Sequence, residues 1–235
     1  FDDEKLAYKQ DLYVIRTAID SADKQFYLSK YHVKSMNKPF EYDYKWQFAF
    51  ERKHIYRASV LAADTHQVVV YAHVFDGLKK GQWILRINAN TGEIIRGTKL
   101  SAKGDQRHFL MSNFIIDKKT KSIDVIGSVY DANSIDFKNK TSNFTSQAKN
   151  HKLFLVTIDS LGDVTQRVEK VFPLPIQTKT QTGLQSFHLK IREFTKNSDG
   201  SYNIWSDVYE QSLPNVLTYY ISWQFNLVSN DIVSE

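Results

Sequence analysis

The side chains able to do acid–base or metal chemistry are scattered. The seven histidines are His32, His54, His66, His73, His108, His151 and His188. No two stand at a His-x-His or His-Glu-x-x-His spacing, which a shared metal ion needs. There is no cysteine, so thiolate metal sites, disulfide frameworks and cysteine nucleophiles are excluded. Neither a Gly-x-Ser-x-Gly elbow nor a glycine-rich phosphate loop is present. The segments Asp159-Ser160-Leu161-Gly162-Asp163 and Asn197-Ser198-Asp199-Gly200 carry oxygen ligands in short loops. They lack the alternating ligand set and closing Glu of a calcium loop, and turn chemistry accounts for them. Paired carboxylates for glycoside hydrolysis must stand about 5–10 Å apart, a spacing many Asp and Glu residues could reach on folding. These residues therefore predict a non-enzymatic chain, with no catalytic set, no metal and no cofactor.

The aromatic residues are the sharper feature. The chain of 235 residues holds 15 Phe, 13 Tyr and 4 Trp. Six fall at alternate positions: Phe40, Tyr42, Tyr44, Trp46, Phe48 and Phe50. Period 2 is the mark of a strand with one distinct face. That face is either a sugar-stacking or partner-binding platform, or a surface buried between two sheets. Burial is the expected use, because each ring hides a large area. Trp205 and Tyr209 share a strand face with Asn203 and Asp207 and suit a rim where partners meet. Tyr42, Tyr44, Trp46, Trp205 and Tyr209 are thus the candidate partner- or glycan-binding residues.

The elements that position these residues are strands. Val68 to Phe75 is β-branched and apolar on both faces, as in a central strand. Ser122 to Tyr130 and Tyr219 to Leu227 alternate. A short helix near Asp2 to Gln10 is the only helical candidate. Four polar hairpin tips recur, at Ile19–Lys24, Ala63–Gln67, Ile116–Lys121 and Lys196–Gly200. Each is followed by a strand, a variable connection and a further strand, which is the signature of a repeat. Two units continue through tight turns, Asn88-Ala89-Asn90-Thr91-Gly92 and Asp159-Ser160-Leu161-Gly162-Asp163. In both, a glycine stands where the chain needs positive φ. Residues 131–150, rich in Asn, Ser, Thr and Lys, read as a mobile surface loop.

This pattern resembles the β-propeller superfamily. The stretch Trp83-Ile84-Leu85-Arg86-Ile87-Asn88-Ala89-Asn90-Thr91-Gly92-Glu93-Ile94 is similar to the third-to-fourth strand hairpin of quinoprotein-type repeats. The resemblance implies about four radially arranged, four-stranded antiparallel blades. It covers most of the chain and does not imply a quinone cofactor. The overall texture is also similar to secreted envelope proteins of Gram-negative bacteria. The expected organisation is one propeller-like all-β domain over 1–235, with repeats near 5–54, 55–104, 105–175 and 176–235. A β-sandwich is the alternative fold. Four blades is the lower limit of a closed ring, so the chain is a small ring or part of a larger one.

Charge and processing signals narrow the setting. Lys and Arg number 31 against 26 Asp and Glu, a net charge of +5. The positive residues sit at hairpin tips rather than in a stripe, which argues against nucleic acid. No apolar run is long enough for a transmembrane helix. The start at Phe1, without Met, suggests a processed protein and favours export. Asp20-Ser21-Ala22 and Asp159-Ser160-Leu161 are similar to short bacterial O-glycosylation acceptors, which makes Ser21 and Ser160 candidate glycosylation sites beside their turn reading. Asn139 and Asn143 match the N-glycosylation pattern. The predicted function is an extracytoplasmic binding or scaffolding module, periplasmic or at the cell surface. Its predicted partner is a protein, such as an outer-membrane complex. The alternative is a carbohydrate-binding or carbohydrate-active propeller.

Overall fold

The computed structural model of the chain describes residues 4–20, 23–35, 41–49, 55–74, 81–105, 107–130, 151–172, 179–180, 183–184, 187–210, 217–226 and 232–234. All regular structure among them is β. The strands fall into two compact units, 1–102 and 103–235.

The first unit holds two sheets. Sheet one has the order β1 (Glu4–Tyr8), β2 (Asp11–Asp20), β3 (Asp23–Ser35), β4 (Glu41–Ala49). Sheet two has the order β5 (Ile55–Ala63), β6 (Gln67–Val74), β7 (Gly81–Asn88), β8 (Ile94–Lys99). The second unit holds sheet three, β9 (His108–Ile116), β10 (Ile123–Tyr130), β11 (His151–Ile158), β12 (Val164–Phe172), and a small ribbon, β13 (Lys179–Thr180) with β14 (Gly183–Leu184). It ends with sheet four, β15 (Phe187–Lys196), β16 (Tyr202–Glu210), β17 (Leu217–Phe225), β18 (Ile232–Ser234). Neighbouring strands pair antiparallel in chain order within every four-stranded sheet. Four successive four-stranded meanders are consistent with a propeller-like fold.

Four of the described turns are built by one device. Asp64 Oδ1 accepts hydrogen bonds from the amides of His66 and Gln67, and Asp117 Oδ1 from those of Lys119 and Thr120. Asn88 Oδ1 accepts from Asn90 and Thr91, and Asp159 Oδ1 from Leu161 and Asp163. A short side-chain acceptor closing the turn two to four residues on is why Asp and Asn recur there. Gly92 and Gly162 take φ of 78° and 90°, as the turn pattern predicts.

The segment expected to be a short helix is strand β1. Its Glu, Lys, Leu and Ala favour a helix weakly, and pairing overrides that preference. Lys9, at φ 53°, makes the tight turn that lays Glu4–Tyr8 against Asp11–Ile15. Sheet one therefore gains its extra strand before its long hairpin, on the β2 edge. In the other three sheets the fourth strand follows the third.

Each unit has an apolar core. Tyr13, Ile15, Leu28 and Trp46 of sheet one meet Val68, Val70, Ala72 and Ile87 of sheet two. In the second unit, Ile126, Leu153 and Leu155 of sheet three meet Phe194, Tyr202, Ile204, Trp223 and Phe225 of sheet four. Strand β6 is buried on both faces from Val68 to His73, in accord with its continuous apolar run. A cavity of about 10 Å³, room for about one water, lies between sheets three and four among Ile126, Leu153, Phe194 and Tyr202.

Candidate functional site

The aromatic row of β4 does not keep a single face. Along β3 and β4 the pairing runs Tyr31↔Tyr44, then Lys30↔Trp46, so β4 carries one extra residue, Lys45, as a bulge. Adjacent residues of β3 point to opposite faces, and their partners must follow. Tyr44 therefore joins Tyr31 on one face, while Trp46 joins Lys30 and Tyr13 on the other. The ring contacts agree. Tyr31 meets Tyr42 edge-on at 5.2 Å and Tyr44 at 6.0 Å, whereas Trp46 lies 6.1 Å from Tyr13.

The Tyr31 face is exposed along β4, while Val14, Ser29 and Val33 on the same face are buried. Tyr42 and Tyr44 are 54% and 56% accessible, and Gln47, on the same face, is exposed. Arg16 of β2 sets its guanidinium over the Tyr31 ring at 5.3 Å and is itself exposed. A second bulge residue, Lys34 on β3, ends the cluster. Lys34 and Lys45 converge on Asp43, at 2.8 and 3.6 Å. The Lys34 hydrogen bond holds the Asp43 carboxyl below its ordinary value and raises the Lys34 ammonium in return. Asp43 pairs with His32, so this ion cluster is centred on the other face and leaves the tyrosine surface with Arg16 and Gln47 as its polar neighbours.

The opposite face of sheet one is structural. Trp46 is buried, and its Nε1 donates to the carbonyl of Ala89 in the β7–β8 turn at 2.9 Å. Lys30 Nζ donates to the same carbonyl at 2.8 Å and pairs with Asp11 at 2.8 Å. His32 Nδ1 stands 3.0 Å from the other Asp11 oxygen. Burial works to raise the Asp11 carboxyl, but the Lys30 and His32 contacts outweigh it and lower it. An ionised carboxylate only accepts, so Nδ1 carries the proton toward it. A carboxylate orienting an imidazole is acid–base geometry, yet it lies on the face away from the tyrosines.

The second unit has its own aromatic face and its own ion clusters. Trp205 pairs with Ser222, and Asp207 with Tyr220, so Trp205 and Tyr220 share the outer side of sheet four with Asn203 and Gln224. Trp205 is 51% and Tyr220 73% accessible. Asp124, buried beneath the β9–β10 tip, accepts from Thr157 Oγ1 at 2.7 Å, Lys196 Nζ at 2.9 Å and the Tyr202 hydroxyl at 2.9 Å. Burial pushes the Tyr202 phenol up to about 12. Arg107 grips Asp105 at 2.7 Å and Glu169 with both terminal nitrogens, at 2.8 and 2.9 Å. These clusters tie strands together.

The sequence candidates thus separate. Tyr42 and Tyr44 are brought together at the surface, Trp46 is core, and Trp205 is exposed on a different sheet. The side chain of Tyr209 and the whole of Ser21 lie outside the described residues, as do 131–150 with Asn139 and Asn143. Ser160 is exposed in the β11–β12 turn. Tyr31, Arg16 and Tyr220 were not among the candidates. Tyr31 and Arg16 join the site only through strand register, which no local pattern of theirs reveals. No group of three or more His, Asp or Glu among the described residues is arranged to hold a metal ion. No described helix is long and apolar enough to cross a membrane.

No family model matches the sequence, and no curated protein matches it. Among solved structures, the chain is similar to the periplasmic gluconolactonase PpgL of Pseudomonas aeruginosa. The TM-score is 0.42 and the identity 8%, over 96% of this chain and 68% of that one. The expectation of a non-enzymatic chain is corrected here, because the structural neighbour is an enzyme. Failure to find a local motif is a poor ground for excluding catalysis, since a site assembled from separate strands leaves no such motif. No residue role follows from a likeness of this degree.

Proposed function

We propose that the chain is an extracytoplasmic carbohydrate-binding or carbohydrate-active protein, with sheet one as a glycan platform. The observation that carries this is the exposure of Tyr42 and Tyr44 around Tyr31 on a paired sheet. Exposed rings normally cost stability, and their apolar faces suit the C–H faces of pyranose rings. Strand pairing fixes them in advance, so little freedom is lost on binding. Gln47, exposed on the same face, supplies a hydrogen-bond partner for sugar hydroxyls. A fold without cysteine is indifferent to the redox state of its compartment. The likeness to a periplasmic gluconolactonase is in keeping with this reading and does not carry it.

Affinity electrophoresis through gels containing neutral and acidic polysaccharides tests the proposal. The protein is expected to be retarded by at least one polysaccharide, and the double variant Tyr42→Ala/Tyr44→Ala to run freely while keeping its melting temperature. Unretarded migration through every polysaccharide would overturn it. So would retardation that survives loss of both tyrosines.

A further inference from the structure

Resting on the platform reading, we infer that the sugar bound at sheet one is acidic, a uronate-type glycan whose carboxylate is taken by Arg16. Arg16 is exposed and lies over Tyr31 at 5.3 Å. Among the described residues it has no carboxylate partner. A guanidinium held over a ring face spends no N–H donor on that contact, and its paired donors match a carboxylate. The ring beneath it is the one on which Tyr42 and Tyr44 converge. One ligand unit can therefore touch aromatic carbon and guanidinium together.

The surrounding charge points the same way. Asp43 lies between the tyrosines in sequence but follows its partner His32 to the opposite face, where Lys34 and Lys45 hold it, so it does not answer Arg16. Glu41, at the start of β4, acts on Lys34. Among the described residues, Arg16 thus stands on the tyrosine face without a carboxylate to answer it, and the uncompensated charge there is positive. A neutral sugar would leave the guanidinium's charge unanswered. Trp205 and Tyr220 on sheet four show no cation–ring contact among the described residues, so this preference belongs to sheet one.

The test compares three immobilised polymers: a polyuronate, the same polymer with its carboxyl groups reduced to alcohols, and polyglutamate of similar charge density. The wild-type protein should bind the polyuronate at least tenfold more tightly than the reduced polymer, and polyglutamate more weakly than either. Arg16→Gln should remove the preference, bringing polyuronate binding down to the level of the reduced polymer. Arg16→Lys should restore only part of it, because a point charge lacks the paired donors. Tyr44→Ala should weaken binding to both sugars. Equal binding to the two sugars, or no effect of Arg16→Gln, would overturn the acidic preference and leave the platform standing. Equal binding to polyglutamate would reduce the site to a plain charge contact. Binding to no sugar would remove both readings. Arg16 is exposed, so unchanged melting of Arg16→Gln keeps the comparison clean.

Discussion

Tyr44 and Trp46 stand two residues apart on β4 and face opposite sides of the sheet, because Lys45 is bulged between them. Partner strand β3 answers with adjacent residues, Tyr31 opposite Tyr44 and Lys30 opposite Trp46. One inserted residue turns an aromatic row that looks uniform into a core anchor and a surface platform. The two halves should respond to truncation in opposite ways. Trp46→Ala removes a buried ring and its bond to Ala89 O, and should cost about 3–5 kcal/mol of stability. Tyr44→Ala should change stability by only about 0.5 kcal/mol while weakening glycan retention. Urea unfolding paired with affinity electrophoresis separates the two. Similar unfolding midpoints for both variants would mean the faces are not divided as described.

The positive-φ glycines offer a graded comparison. Gly92 and Gly104 take nearly the same φ, 78° and 82°. A Cβ on Gly92 would lie 2.8 Å from the Trp46 ring, whereas one on Gly104 meets nothing within 4 Å. Gly104→Ala should therefore cost only the backbone strain, about 1 kcal/mol. Gly92→Ala adds displacement of a buried indole, for a total of about 2–4 kcal/mol. Thermal melts of the two variants give the difference directly, and equal losses would place Trp46 away from the β7–β8 turn.

Architecture was largely legible in the sequence, and the site was only half so. Alternation and turn residues mark most strands, because side chains on a strand obey a strict period and the tips need Asp, Asn or Gly. Residues Val68–His73 and the turns at Gly92 and Gly162 are cases where local chemistry suffices. Strand β1 was missed because its composition leans helical and its fate is decided by β2. The site was obscured by two things no local window contains. The bulge at Lys45 breaks the period that makes β4 readable. The approach of Arg16 to Tyr31 depends on the β2–β3 register, across a hairpin. Tyr42 and Tyr44 could be named as candidates, but their separation from Trp46 could not.

The Asp124 cluster predicts a coupled loss. Its carboxylate is buried and takes three donors, from Thr157, Lys196 and Tyr202. Tyr202→Phe removes one donor and leaves the ring packed against Phe194 at 5.1 Å, so it should cost about 1.5–3 kcal/mol. Lys196 is 40% exposed, so its own contribution is screened and smaller. The double variant Tyr202→Phe/Lys196→Met should lose more than the sum of the single losses, since Asp124 is then left with Thr157 alone. Denaturant unfolding of the four proteins measures the coupling, and strict additivity would show that the two donors act on Asp124 independently.

Acid should weaken the second unit through Arg107. Its hydrogen bond holds the Asp105 carboxyl below the ordinary value of 3.8. Burial works to raise Glu169, but Arg107 and then Lys152 outweigh it and keep it below 4.5. Both carboxyls thus bind protons less readily folded than unfolded. Linkage then makes their stabilisation complete above those ordinary values and lost as pH falls toward the folded ones. In urea unfolding followed from neutral pH downward, the wild-type protein should lose stability through this carboxylate range. Arg107→Gln should start lower at neutral pH and follow a flatter acid limb, because the cation that depresses both carboxyls is gone. The two curves should converge once both carboxyls are protonated. Parallel curves with a constant offset would show that Arg107 stabilises the sheet by packing over Phe109, 5.4 Å away, rather than by its charge.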